Sequence, residues 1–145
     1  MAYTVTKVSM WQGEIADQAG GLAAKLEPLA EAGADLEVVV ARRQAQTPGK
    51  GIVFLGPVAG TKAKKAAEAA GLTKATDLVA LRVEGPNKPG EGYRLTRLLA
   101  DAGINLRGLA ATVSGRQFVA SLGFDSDADA DKAARLLRSA GRERK

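Results

Sequence analysis

The chain repeats itself. Laid residue against residue, "GEIADQAGGLAAKLEPLAEAGADLEVVVA" (13–41) aligns with "VEGPNKPGEGYRLTRLLADAGINLRGLAA" (83–111) without a gap. Gly20 falls on Gly90, Gly33 on Gly103, Leu29 on Leu99 and Leu36 on Leu106, and the stretches "LAEAGADL" and "LADAGINL" match most closely. Such a duplication constrains the fold more than any single motif, because one assignment must satisfy both halves.

Each half reads as strand, loop, helix, strand, turn, strand, helix. In the first half, β-branched and apolar runs bounded by Gly or Pro predict strands over 4–15, 36–43 and 51–56, with "TPGKG" (47–51) as the turn. Helices are expected over 20–32 and 61–70. The second half gives strands over 77–84, 106–114 and 117–124 and helices over 90–102 and 128–140. Leu95, Leu98, Leu99 and Ala102 recur at helical spacing and mark one buried stripe, as Leu22, Leu26 and Leu29 do in the first half. Pro28 interrupts the hydrogen-bond ladder of that helix and is expected to kink it. Carboxylates open the last helix in "SDADAD" and arginines close it, as the helix dipole favours.

A βαββα unit lays both helices on one face of an antiparallel sheet. The expected class is therefore α+β, ferredoxin-like and duplicated, with a first unit at 1–72, a second at 73–141 and a basic tail at 142–145. Six strands are legible where two complete four-stranded units need eight. The long first strands, near 4–15 and 74–84, are expected to make up the difference by pairing with each other or by serving both halves. That arrangement would fuse the units into one continuous sheet.

Composition narrows the chemistry. The 145 residues include no cysteine and no histidine, which removes thiolate nucleophiles, the commonest general base and the commonest transition-metal ligands. No catalytic activity, metal or cofactor is expected. Apolar runs are only a few residues long, as in "LEVVVA", and the start lacks a signal-peptide pattern, so a cytoplasmic chain without a membrane span is expected. Part of the net charge of +5 is local, in "TKAKK" (61–65) and the terminal "RERK", and a nucleic-acid partner is not expected. "GPVAGTK" (56–62) lacks phosphate-loop spacing and reads as a turn with Thr61 capping a helix. In "GRQFVASLGF" the only aromatics are Phe118 and Phe124, too few for an RNA-stacking platform, and a core strand is expected.

The loop "EGPNKPGEG" (84–92) carries the functional reading. It ends a strand and opens a helix, where unpaired N–H groups attract carboxylate or phosphate and glycine lets a ligand approach the backbone. Asn87 lies just ahead of "PG", and Asn105 follows the helix in "GIN"; the topology is read as bringing the two together. An asparagine both donates and accepts, which suits a zwitterion.

These residues resemble the ACT domain, a regulatory module that binds amino acids. Its recurrent pattern is Asp or Asn, one residue, Pro-Gly, a further residue and an aliphatic, then a helix ending in "AGIN" or a close variant. "NKPGEG" with "LLADAGINL" follows it, as does "DQAGGL" with "LAEAGADL", so the resemblance covers nearly the whole chain twice. Ala19 stands for the proline in the first copy and Gly92 for the aliphatic in the second. Members typically bind ligand between two modules, through this loop and the start of the following strand. The resemblance therefore implies Asn87, Lys88, Pro89, Gly90, Asn105 and Leu106 as ligand-binding residues. It also implies, from the first copy, Asp17, Gly20 and Asp35, whose ionised carboxylates accept hydrogen bonds but cannot donate them. A non-catalytic amino-acid sensor acting through a homo-oligomer, such as a dimer, is expected. The alternative is a ligand-free dimerisation or protein-interaction module of the same fold.

Overall fold

The computed structural model describes residues 3–143. In chain order the elements are β1 (Thr4–Val8), β2 (Trp11–Ala16), α1 (Gly21–Glu31), β3 (Val38–Arg43), β4 (Lys50–Gly56), α2 (Thr61–Ala69), β5 (Thr73–Lys74), β6 (Val79–Pro86), α3 (Glu91–Asp101), β7 (Gly108–Ser114), β8 (Gln117–Phe124) and α4 (Asp127–Glu143). They form two four-stranded antiparallel sheets, ordered β3-β4-β2-β5 and β1-β6-β8-β7. This is the expected duplicated α+β, ferredoxin-like arrangement.

The predicted first strand is two strands. It breaks at Ser9 and Met10; β1 runs antiparallel to β6, pairing Thr4 with Glu84 through to Val8 with Ala80, while β2 enters the other sheet. One compact unit therefore comprises Ser9–Ala75, and the other takes the N-terminal segment up to Val8 together with the chain from Thr76 onward. This differs from a division at residue 72, because the first strand contributes to both sheets. The single continuous sheet expected from the strand count does not form; the strands of the two units pair only within their own sheets. In the first unit the fourth strand is β5, two residues long and paired only to Trp11 and Gln12.

Alternation decides which face each sheet buries. In β8, Phe118, Ala120, Leu122 and Phe124 are buried, and they join Tyr3, Val5, Leu81, Val83, Leu95, Leu99, Ile104 and Leu137 in one core. The other unit packs Trp11, Leu29, Val53, Leu55, Val58, Ala63, Ala67 and Leu72. Phe118 and Phe124 are thus core residues, as the core-strand reading expects. Helix α1 continues through Pro28 to Glu31. Helix α2 starts after Gly60, at φ 89° and ψ 154°, and no side chain caps it. Thr61 is its first residue rather than its cap, since the backbone turn that ends the preceding segment falls on the glycine. Ser126 caps α4, accepting from the Asp129 N–H at 3.1 Å, and Asp127 and Asp129 occupy the first turn.

Candidate functional site

The strand–loop–helix connection is built twice with several matching backbone features, although Gln18 N–H donates to Ala16 O only in the first copy. Gly20 and Gly90 both hold the left-handed conformation, at φ 84° and 87°, directly before α1 and α3. A side chain there would be strained, which is why both copies spend a glycine on the position. The Asp17 N–H donates to Gly49 O and the Asn87 N–H to Arg116 O; Gly21 N–H donates to Gln18 O and Glu91 N–H to Lys88 O. Ala24 and Arg94 N–H likewise return to the glycine carbonyls. No side chain caps either helix. Gly33 and Gly103 end the helices in matching turns, with Ala34 and Ile104 N–H on Leu29 and Leu99 O.

Each module keeps the loop and the start of its second long strand apart. Pro86, at the end of β6, pairs with Gln117, which pairs with Ser114 at the end of β7; Gly108, where β7 begins, lies level with Ala80, across Gly123. Asn87 and Asn105 therefore sit at opposite ends of the sheet, about six strand residues or roughly 20 Å apart. The same register separates Asp17 from Asp35. The expected convergence of Asn87 and Asn105 within one module is thus corrected: in β6-α3-β7 the helix runs back along the sheet, so the next strand starts at the far end. Asn87, Lys88, Pro89, Gly90 and Asn105 are exposed, and Leu106 is half-buried beside its core.

The surroundings of the two loops differ. Two open clefts border the first-copy loop. One, of about 350 Å³, is lined by Glu14, Ile15, Ala16, Gln18, Ala19, Gly20, Gly21, Ala24, Lys25, Pro28 and Ala70. The other, of about 190 Å³, is lined by Ile15, Ala16, Asp17, Gln18, Leu22, Ala41, Arg42, Arg43 and Gly51. At the second, Arg43 Nε donates to Asp17 Oδ2 at 2.6 Å, so a guanidinium and a carboxylate lie side by side. Arg43 escaped the sequence reading because β3 brings it to Asp17 through a register not visible in local pattern.

Beneath the second-copy loop a polar group is built in. Glu91 is buried; Tyr3 Oη donates to Glu91 Oε2 at 2.6 Å and accepts from Arg94 Nη1. The Tyr3 ring meets Phe118 edge to face at 5.7 Å and lies under the Arg94 guanidinium. A Cβ on Gly85 would come within 2.5 Å of that ring, so Gly85 is what admits it.

Among the described residues no group of three acidic, histidine or cysteine side chains could hold a metal, and no helix is long and apolar enough to cross a membrane. No protein-family model matches the sequence, and no curated protein does. Solved structures match in fold. A protein from Bacteroides thetaiotaomicron is 18% identical with a TM-score of 0.72, over 95% of this chain and 90% of its own. The ligand-free regulatory subunit of aspartate kinase from Thermus thermophilus is 15% identical with a TM-score of 0.66, over 100% of this chain and 98% of its own. The aspartate kinase of Clostridium acetobutylicum is 15% identical with a TM-score of 0.65, over 97% of this chain but only 34% of its own length. The chain thus carries the tandem ACT fold, shared with regulatory subunits of aspartate kinase.

Proposed function

We propose that the chain is a non-catalytic regulatory protein that binds an amino acid at the loops opening its first and third helices and passes occupancy to an oligomer or partner. One observation carries the reading. The loop is made twice with the same left-handed glycine and several matching backbone bonds, and in the first copy open clefts border it, one of them edged by the Asp17–Arg43 pair. A zwitterion presents the opposite charges to such a pair, carboxylate to Arg43 and ammonium to Asp17. The fold shared with regulatory subunits supports the same role.

Asn87 and Asn105 enter this reading in a particular way. Since they lie at opposite ends of one sheet, a ligand touching both draws them from two modules, the second supplied by another copy of the chain. A ligand bridging two copies favours the assembled form, which is all that regulation of this type requires. The test is calorimetric titration with each of the twenty amino acids, followed by Arg43→Ala and the Asn87→Ala/Asn105→Ala double variant. An affinity loss of about tenfold or more in either variant, some 1.4 kcal/mol, identifies the copy that binds. Heats of binding unchanged in both variants would rule out both loops.

The ligand-free dimerisation reading has its own support. Every residue of β7 is exposed, and the strand "GLAATVS" is an open edge without charge or proline. Leu109 and Val113 project on the core side of the sheet yet remain 48% and 54% exposed. Dimerisation through this edge, indifferent to every amino acid, would favour that reading.

A further inference from the structure

The two sheets differ on the faces turned away from their cores. An antiparallel sheet ordinarily keeps one face apolar for its core and the other polar for water. The second unit follows this rule. Its outer face carries Thr4, Thr6, Arg82, Glu84, Thr112 and Ser121, and Arg82 Nη2 meets Glu84 Oε1 at 2.7 Å.

The first unit departs from it. Alternation turns Trp11, Val53 and Leu55 into the core, which leaves Val40, Ile52 and Phe54 on the outer face. They stand in two rows across the sheet, Val40 with Phe54 and Gln12, then Arg42 with Ile52 and Glu14. The repeat, carried across by strand pairing, puts Ala110, Val119 and Ser121 in the places of Val40, Ile52 and Phe54, so the larger apolar groups belong to this copy alone. All three are half-buried, and the face opens from Val40 onward, since Val38 is buried. Its charges are unanswered. Glu14 and Arg42 are exposed, flank Ile52 from β2 and β3, and stand two strand spacings or about 10 Å apart. Among the described residues neither side chain forms an ion pair or hydrogen bond. In the second unit Arg82 answers Glu84 from its own strand; the counterpart here is Gln12, which leaves Glu14 without a cation.

We propose that this outer face docks on the same face of a second copy of the chain, about a two-fold axis running along β4. Such an axis lays β2 of each copy over β3 of the other. Ile52 then meets Ile52, Phe54 meets Phe54, and each Glu14 comes opposite the Arg42 of the other copy. Stacked sheets lie about 10 Å apart, a gap that a glutamate and an arginine close together. A two-fold across the strands would instead set Glu14 on Glu14 and Arg42 on Arg42, so the charges select the axis. Lys50, the next outer residue of β4, approaches its own copy only at the exposed margin, where both ammonium groups keep their water. The contact buries apolar surface that a lone sheet leaves wet. It is separate from the β7 edge and stands whether or not either loop binds a ligand.

The test is sedimentation of the full chain, in buffer free of amino acids, from about 10 µM to about 1 mM. The intact chain should self-associate across that range. Glu14→Arg and Arg42→Glu, at exposed positions that leave the core untouched, should each weaken association by about tenfold or more. Phe54→Ser, which installs the second unit's residue, should weaken it likewise. An equimolar mixture of the Glu14→Arg and Arg42→Glu chains should restore association, because opposite charges then face each other at both places, and so should one chain carrying both substitutions. The proposal is overturned if the intact chain stays monomeric up to about 1 mM. It is equally overturned if the single variants associate as tightly as the intact chain, which would assign assembly to another surface such as β7, or if neither the mixture nor the doubly substituted chain recovers what the single variants lose.

Discussion

At the scale of single residues, the second unit depends on a close fit around Tyr3. A Cβ at Gly85 would stand 2.5 Å from the Tyr3 ring and 2.9 Å from Phe118, both buried, so neither can withdraw without opening the core. Gly85→Ala should cost about 1–3 kcal/mol, read as a lower urea midpoint at unchanged slope. Tyr3→Phe keeps the ring but takes the hydroxyl from Glu91 and Arg94, and a loss of about 1 kcal/mol is expected in the same measurement. Gly90→Ala forces a side chain to φ 87° in open space, where nothing clashes, so its cost of about 1–2 kcal/mol reports backbone strain alone. The loop glycines were legible in the sequence because Gly20 and Gly90 coincide in the repeat, while their left-handed backbone is a finding of the structure. Glu91 and Arg94 were not, since their partner arrives from the other end of the chain.

The element that organises the molecule is the divided first strand. A continuous β-pattern over 4–15 predicts one strand, and nothing in hydrophobic alternation marks the break at Ser9–Met10; the break follows from each sheet needing a fourth strand. Strand β1 is fixed by Tyr3, Val5 and Val8 in the core, by Arg138 Nη2 donating to Val5 O at 2.9 Å, and by Lys7 against Asp127 at 2.6 Å and Asp131 at 3.4 Å. Deleting the chain before Ser9 should destabilise the second unit by on the order of 5 kcal/mol, because three buried side chains lose their places. A truncated chain that melts like the intact one would show that β1 is dispensable. The Asp127 hydrogen bond raises the Lys7 pKa above the ordinary 10.5. A group whose pKa rises on folding stabilises the fold fully below its unfolded value and loses that contribution as pH climbs through the folded one. Stability should therefore fall on the alkaline side above about 10.5, and Lys7→Met should flatten that fall.

At the scale of the whole molecule, the duplicated α+β class and nearly every helix and strand were readable from periodicity and the repeat. The site was readable only in part. The "NKPG" copy carries the fuller motif, yet the described clefts border the "DQAGG" copy, where Gly21, Ala24 and Ala70 are small and the fourth strand is two residues long. Motif completeness and open space are separate properties, and space depends on residues distant in sequence. The most direct test of the regulatory reading is the melting curve of the intact chain against each of the twenty amino acids. A ligand present at about 100 times its dissociation constant adds roughly 2.7 kcal/mol to the folded state, which should raise the midpoint by roughly several degrees. One amino acid, or a small related group, should produce that rise, with Arg43→Ala or the double asparagine variant abolishing it. A midpoint indifferent to all twenty would contradict the account and leave the fold as an assembly module.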